Sequence, residues 1–293
     1  MTKKKRHIDN NGGFEKESQE FLSKMEIPWK KDKEEIWDML SEKIDKAETT
    51  QVKTIRLTWI KYAVAASIIL LVGTAAFLRF HTQTISTLPG QQLAINLPDG
   101  SEVQLNSYSE IKYRTYRFNK NRSVSFIGEG FFKITPGKTF EVVGRHGTTK
   151  VLGTSFAIYD RKEEYKVTCL TGSVQVASKT SNKKVVLKPQ DRAVVSHSGD
   201  VTKNENIDTK GSIAWLTKEF YYTSATLNHV FYEISLRYGV KIDIDPGILK
   251  SNRIYSGQFK QTESVEEVIG IVTKPLGLSY TKRNNKEYRI TQN

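Results

Sequence analysis

The stretch Tyr62–Leu78, YAVAASIILLVGTAAFL, decides the architecture of this chain because it runs for 17 residues without a charge. The hydrocarbon core of a bilayer is about 30 Å thick, and a helix of roughly 17–25 apolar residues crosses it. Trp59 and Ile60 extend the run, and Lys61 can extend its ammonium group outward on its aliphatic stem. The sequence therefore predicts one transmembrane helix over residues 59–80. The alternative is a helix buried in a globular core, where uncharged runs of this length are rare.

The segment before this helix is too long for a cleaved signal peptide, which begins close to the N-terminus. Positive charge is concentrated before the helix: Lys46, Lys53, Arg56 and Lys61. Arg79 follows it, and the next Lys or Arg is Lys112. Because loops rich in Lys and Arg stay in the cytoplasm, we expect a cytoplasmic N-terminus and an exported C-terminal two-thirds.

Residues 1–58 contain two short helical patterns, over about 14–25 and 32–47. In the second, apolar residues recur at i, i+4 and i+8 with a tryptophan beside them. A segment of about 45 residues rarely buries such stripes by itself. The pattern favours docking to a partner protein, helix in groove, over a spacer whose helices lie on the membrane. The candidate contacts are Trp29, Ile36, Trp37, Leu40 and Ile44.

The net charge of +13 is spread along the 293 residues rather than gathered in one stripe. The basic run Lys3-Lys4-Lys5-Arg6 is short and suits a solvated tail near anionic lipid. We therefore expect no direct binding of nucleic acid. Cys169 is the only cysteine, so no intramolecular disulfide can form, and its strand-like context indicates a small core residue.

After a polar link over residues 81–86, the apolar period changes to two. Leu93, Ile95 and Leu97 alternate, and residues 98–101 (PDGS) supply a turn before the alternation resumes. Short runs of this kind continue for about 100 residues, separated by glycine and proline, with Gly128 among the separators. The pattern predicts an all-β domain over residues 81–210, as a roll, barrel or sandwich.

Residues 211–293 change pattern again. Thr226 is a candidate cap for a helix that ends at Gly239, and Ser264 opens a second helix that ends before Pro275. A turn is expected over residues 245–247 and a final hairpin around Asn284. The predicted order is βαβ followed by βαββ, which is a small α+β domain built of two half-repeats.

The search for chemistry finds no HExxH, CxxC or GxSxG motif and only scattered histidines. We therefore predict no catalytic residue, cofactor or metal, and no enzyme activity. Glu129, between two glycines, is either a lone catalytic acid or, as we favour, a bulge residue that pairs with a backbone amide or an arginine. Four tyrosines form either a sugar-binding face or ordinary packing, which strands favour: Tyr108, Tyr113, Tyr116 and Tyr159.

Four blocks, NLPDGSEVQLN (96–106), GEGFF (128–132), VLGTSF (151–156) and LTGSV (170–174), resemble in order and spacing the FecR family of membrane-bound anti-sigma factors. Residues 214–293 resemble the C-terminal domain of Bacteroidota-type members, whose halves are similar to the short N-terminal domain of secretins and TonB-dependent receptors. Three small departures affect local turns: Gly130, Ala157 and Gln190. The motif residues are Leu97, Asp99, Gly100, Leu105, Gly128, Glu129, Leu152, Gly153, Thr154, Phe156 and Gly172.

The resemblance implies an inner-membrane signalling relay. Residues 1–58 would be the cytoplasmic anti-sigma segment that holds an extracytoplasmic-function sigma factor, and residues 59–80 the single membrane helix. The all-β domain (81–210) and the α+β domain (211–293) would be periplasmic, and the latter would receive the signalling domain of an outer-membrane TonB-dependent receptor. The competing hypothesis is a membrane-tethered periplasmic glycan-binding module without a sigma-factor partner.

In relatives, release can involve proteolysis of the exported part and then cleavage within the membrane helix. Gly73, Ala75 and Ala76 place small residues in the middle of the predicted span. Such residues permit close helix packing, and a local loss of helix stability is what an intramembrane protease would require. Ordinary small residues in a membrane helix are an equally good explanation.

Overall fold

A computed structural model describes residues 14–24, 32–48, 58–162 and 164–292. The structure divides into two units, with the boundary between Ala66 and Ser67. Before that point lie helices α1 (Phe14–Lys24) and α2 (Lys33–Glu48). Asp32 begins α2 by accepting a hydrogen bond from the Lys33 amide at 2.8 Å, and acidic residues in the first turn favour the positive end of the helix dipole. Both predicted N-terminal helices are present.

Helix α3 (Thr58–Phe80) contains the apolar stretch. Its 23 residues have a mean hydropathy of 2.1 in the most apolar window, and the protein buries none of them. Among the described residues it is the one helix long and apolar enough to cross a membrane by length and composition. An uncovered apolar helix of this length agrees with the predicted span and disagrees with a core helix.

A β domain follows α3. Between Gln83 and Asn204, the described residues form thirteen strands: β1 (Gln83–Ser86), β2 (Leu93–Asn96), β3 (Glu102–Leu105), β4 (Glu110–Tyr113), β5 (Ser123–Lys133), β6 (Phe140–Val143), β7 (Gly147–Val151), β8 (Ser155–Arg161), β9 (Glu164–Thr171), β10 (Val174–Ser178), β11 (Lys184–Leu187), β12 (Arg192–Ser196) and β13 (Val201–Asn204). The all-β prediction is confirmed. The predicted polar link was wrong at its end, because β1 pairs antiparallel with β4.

Two sheets share one strand. One sheet has the order β1-β4-β5-β6-β7-β10-β11, in which only β5 and β6 run parallel. The other has the order β2-β3-β5-β8-β9-β12-β13 and is antiparallel throughout. Side chains from both sheets form a single core, in which Leu97, Leu105 and Phe156 are buried. Cys169 belongs to this core, as predicted.

The eleven-residue strand β5 crosses from one sheet to the other at Gly128. The sequence predicted a break between two strands at this glycine, and that was wrong. The backbone at Gly128 has φ +112° and continues the strand with a bend, a conformation that L side chains avoid. A Cβ here would lie 2.4 Å from Ser109 Oγ, so glycine also permits the close approach of the two chain segments.

The α+β domain consists of α4 (Lys210–Ile213), β14 (Glu219–Thr226), α5 (Leu227–Tyr238), β15 (Lys241–Ile244), α6 (Pro246–Lys250), β16 (Ile254–Lys260), α7 (Val265–Thr273), β17 (Leu278–Asn284) and β18 (Glu287–Gln292). The Thr226 side chain caps α5, and Gly239 ends it in the left-handed conformation. The Ser264 side chain caps α7. The predicted βαβ-βαββ order is confirmed, except that the turn over 245–247 is the start of the short helix α6.

The two half-repeats do not form separate sheets. Strands β14 and β16, one from each half, pair antiparallel. Strand β15 pairs parallel with β18, which also pairs antiparallel with β17. Helices α5 and α7 contribute Val230, Phe231, Val268 and Ile269 to a second core. Each half therefore completes the other, because neither half alone contains a full sheet.

Candidate functional site

The predicted partner contacts on α2 lie on its solvent-exposed surface. Trp37 is 70% exposed, Leu40 49% and Ile44 52%, while Ile36 is half-buried. Trp29 lies outside the described residues. Large apolar side chains repeated on one side of a helix and left in water are suited to a partner's groove.

Asp99, in the first family block (residues 96–106), forms a buried ion pair with Arg122. Arg122 donates to Asp99 Oδ2 at 2.6 Å, and the two side chains are 6% and 7% exposed. The Arg122 guanidinium also donates to the backbone oxygens of Thr135 and Lys138 at 2.7 and 2.6 Å. Asp99 also accepts from the amide and hydroxyl of Ser101. We call Asp99, Ser101 and Arg122 the Arg122 cluster; it fixes the turn in which Gly100 has φ +80°.

Glycines of the third and fourth family blocks (residues 151–156 and 170–174) shape a neighbouring loop. Leu152 is 63% exposed, and Gly153 lies against Pro136, where a Cβ would come within 2.7 Å of Pro136 Cα. Thr154 is buried, and Gly172, with φ +75°, lies against its methyl group. These residues hold two turns close together, which is a structural role.

The second family block (residues 128–132) contains Glu129, which is 7% exposed. The bend of β5 at Gly128 places it in the sheet that contains β8 and faces the α+β domain. Its Oε2 accepts from Asn106 Nδ2 at 2.7 Å and lies 3.9 Å from Arg161 Nη2. Arg161 is itself buried and donates to the Ser107 carbonyl at 2.6 Å.

Helix α5 supplies the opposite side of this junction. Glu233 and Arg237, one turn apart, are 4% and 7% exposed. The Tyr159 hydroxyl of the β domain donates to Glu233 Oε1 at 3.0 Å. Arg237 donates to the Glu219 carbonyl at 2.6 Å and lies over the ring of Phe220. We call Glu129, Arg161, Glu233 and Arg237 the junction cluster.

Further contacts join the two domains around this cluster. The Gly90 amide donates to the Leu236 carbonyl at 3.0 Å, and Arg192 donates to the Ser212 hydroxyl at 2.9 Å. The Lys162 ammonium lies 3.9 Å from the centroid of the Tyr232 ring. These described contacts between the β domain and the α+β domain are polar or cationic, and the apolar cores of the two domains are separate clusters.

Burial and like charge change the chemistry of Glu129. Loss of water raises the pKa of Glu129 to about 7, the negative charge of Glu233 contributes to the rise, and Arg161 and Arg237 oppose it. Burial also raises the pKa of Tyr159 and of Tyr222, so both remain neutral phenols. Burial lowers the pKa of His229, which therefore carries a neutral ring at neutral pH.

A cavity of about 460 Å³ opens beside the junction cluster. The β domain contributes Glu129, Tyr159 and Lys166, and the α+β domain contributes residues of β14 and α5. The Tyr222 hydroxyl and the Arg237 Nε are buried and have no hydrogen-bond partner among the residues that the structure describes. A cavity of this size, lined by both domains, can hold a small molecule.

The other residues singled out by the sequence are dispersed. A Cβ added to Gly73 would meet no atom within 4 Å, and Ala75 and Ala76 are exposed on α3. Tyr113 is a core residue, Tyr108 and Tyr116 are 61% and 58% exposed, and of the four tyrosines only Tyr159 reaches the cavity. Within the described ranges, no three His, Cys, Asp or Glu side chains are arranged to hold a metal ion.

The sequence interpretation named Glu129 but missed Arg161, Glu233 and Arg237. A signal for two of them was present: Glu233 and Arg237 are four residues apart and lie beside the apolar positions Val230 and Ile234 of the same helix. Charges that are repeated at helical spacing next to an apolar stripe are candidates for a buried pair. The residues next to Arg161 in the sequence do not indicate that it joins this cluster.

Two families match the chain, the FecR protein family over residues 83–175 and the FecR C-terminal family over residues 219–290. Two crystal structures of a candidate anti-sigma factor from Parabacteroides distasonis, at 2.50 and 1.65 Å resolution, are 26% identical to it. They superpose with TM-scores of 0.66 and 0.65 and cover 73% and 72% of this chain. The matches span 100% and 99% of those structures. No curated protein matches the chain.

Proposed function

Because the chain belongs to the FecR family, we propose that it is a single-pass anti-sigma factor that binds an extracytoplasmic-function sigma factor through its N-terminal helices. The observation that carries the proposal is the order of its parts. An exposed apolar stripe on α2 precedes α3, and the FecR domains follow it. A sigma factor and the FecR domains would then be on opposite sides of the inner membrane.

The positive charges before α3 support an orientation with residues 1–58 in the cytoplasm and residues 81–293 in the periplasm. In this arrangement, the α+β domain receives the signalling domain of an outer-membrane TonB-dependent receptor. Its sheets end in edge strands, and an edge strand is a position at which a partner strand can add. Cleavage within α3 by an intramembrane protease, near Gly73, is the route by which we propose the sigma factor is released.

The sigma-factor contacts that we propose are Trp29, Ile36, Trp37, Leu40 and Ile44. Co-purification of the full chain, in detergent, with an extracytoplasmic-function sigma factor from the same genome tests the proposal. Trp37→Ala and Leu40→Ala should each weaken the complex by about 1–3 kcal/mol, because buried aromatic and aliphatic anchors dominate such interfaces. Asp38→Ala is the matched control, since Asp38 is exposed and lies on the opposite side of α2.

The result that contradicts the proposal is a full chain that binds none of the sigma factors offered. Equal loss in Trp37→Ala and Asp38→Ala would instead place the contact elsewhere on the chain. The function requires no catalysis by this protein, and we propose that it is not an enzyme.

A further inference from the structure

We propose that the cavity between the β domain and the α+β domain binds a neutral sugar of one or two rings. The volume of about 460 Å³ is within the range of roughly 300–1,000 Å³ that small-molecule sites occupy. The inference concerns this cavity alone and does not depend on a sigma factor, since sugar binding can be measured directly.

Buried charged side chains line part of the cavity. Glu129, Glu233 and Arg237 line it and are all more than nine-tenths buried. The remaining lining groups are mostly polar as well, and they include the hydroxyl groups of Thr168 and Ser212. Such a wall suits a polar ligand, because an apolar ligand would leave these donors and acceptors without partners.

The charges of the wall nearly cancel. Its carboxylates are Glu129, Glu164, Asp208 and Glu233, and its cations are Lys166, Arg192 and Arg237, with Arg161 behind Glu129. A cationic or anionic ligand would meet repulsion as well as attraction in this setting. A hydroxyl group can donate to a carboxylate and also accept from an arginine or lysine. The mixture of charges therefore favours a neutral ligand rich in hydroxyl groups.

Aromatic rings provide flat apolar surfaces beside these polar groups. Tyr159 and Tyr222 lie on the wall, with ring centroids 5.9 and 6.4 Å from that of His229. Tyr221 is half-buried, and its hydroxyl donates to Asp208, which fixes its position on the rim. Aromatic side chains combine a large apolar face with a polar edge. A sugar ring has the matching character, with C–H groups on its faces and hydroxyl groups around its edge.

Two buried donors beside the cavity have no acceptor among the described residues. These donors are the Tyr222 hydroxyl and the Arg237 Nε, and both residues line the cavity. An unmade buried hydrogen bond has a free-energy cost, and a ligand oxygen that reached either donor would remove it. Because the wall comes from both domains, a bound sugar would also hold the two domains together.

The test uses the full chain in nanodiscs, since maltoside detergents carry a sugar headgroup that would compete. Glucose, galactose, mannose, xylose, maltose, cellobiose and lactose are titrated by calorimetry, beside the charged analogues glucosamine and glucuronate. At least one neutral sugar should bind with a Kd below about 1 mM, and the charged analogues should bind at least about tenfold more weakly. If every neutral sugar binds more weakly than about 10 mM, or a charged analogue binds best, the proposal is wrong.

Two tyrosine variants test whether the sugar binds in this cavity. Tyr221→Ala removes an aromatic surface at the rim without touching either core, and binding should fall at least about tenfold. Tyr108→Ala is the matched control, because Tyr108 is an exposed tyrosine of the β domain that does not line the cavity. Circular dichroism and the melting temperature confirm that each variant is folded. Unchanged binding by Tyr221→Ala, or equal loss in Tyr108→Ala, would overturn the assignment to this cavity.

Discussion

The Arg122 cluster and the junction cluster are both buried, both charged and both contain a carboxylate from a family motif, yet they are built in opposite ways. In the Arg122 cluster, the guanidinium donates to Asp99 and to two backbone carbonyls. In the junction cluster, the Nε atoms of Arg161 and Arg237 have no hydrogen-bond partner in the described part of the chain. The pKa of Glu129 is raised there to about 7 by burial and by Glu233.

A buried charge can fix a structure or leave it adjustable, depending on whether its hydrogen bonds are complete. A buried ion pair contributes to a rigid fold only when its remaining donors and acceptors are also satisfied. The Arg122 cluster meets this condition inside one domain. The junction cluster does not, and it lies between two domains that meet through polar contacts. We therefore expect the first to control the stability of the β domain and the second to respond to pH and to binding.

We expect the largest change in the free energy of unfolding when the Arg122 cluster is disrupted. Arg122→Met keeps the aliphatic stem but leaves Asp99 buried without its cation, which should lower the free energy of unfolding by about 3–5 kcal/mol. Denaturant unfolding of the full chain in detergent, followed by circular dichroism, measures it. A double variant that also carries Asp99→Asn should recover part of the loss, because the uncompensated charge is then gone. A loss below about 1 kcal/mol would show that the cluster is no more important than a surface pair.

The next largest effect is on the pH dependence of the free energy of unfolding, to which Glu129 contributes through its raised pKa. Its pKa is about 7 in the folded protein against an ordinary 4.5, so the folded state binds the proton more tightly than the unfolded state. This stabilisation is fully present below pH 4.5 and is lost as the pH rises through about 7. The total change is about 3 kcal/mol.

Glu129→Gln cannot ionise, so the difference in unfolding free energy between this variant and the original chain should grow in favour of the variant from about pH 5 to about pH 8. Comparing the two curves removes the contribution of all other titrating groups. The glutamine can still accept from Asn106 through its amide oxygen. A difference that stays constant with pH would mean that Glu129 keeps an ordinary pKa.

We expect a smaller effect on the pH dependence of stability from a change at Glu233, which lies on the α+β side of the domain junction. Glu233→Gln removes the negative charge that raises the pKa of Glu129, and its amide oxygen can still accept from Tyr159. The pH window of Glu129 should therefore shift downward, and the loss of stability between about pH 5 and about pH 8 should become smaller by about 1 kcal/mol. The measurement is the same pair of pH curves. An unchanged window would show that Glu233 does not contribute to the pKa of Glu129.

The sequence predicts the parts of these clusters better than their assembly. Helix α3, the turn at Asp99 and the cap of α5 at Thr226 follow from residues close together in the chain, and all three are present. The shared strand β5 was missed because a glycine with positive φ reads as a turn when its strand partners are unknown. The junction cluster was missed because Glu129 and Glu233 are more than 100 residues apart. No local periodicity connects them.

We expect the smallest change in the free energy of unfolding when a surface ion pair of the β domain is broken. This pair is the exposed counterpart with which the two buried clusters are compared. Lys183 Nζ lies 2.7 Å from Asp200 Oδ1, nearly as close as the buried Arg122–Asp99 pair at 2.6 Å, but the two side chains are 62% and 66% exposed. Water and salt screen this pair, so Lys183→Met should change the free energy of unfolding by less than about 1 kcal/mol, and less still at high salt. The readout is denaturant unfolding at two ionic strengths. If this variant instead matched Arg122→Met, the distance between charges rather than their burial would determine the effect, and the contrast between the two clusters would lose its physical basis.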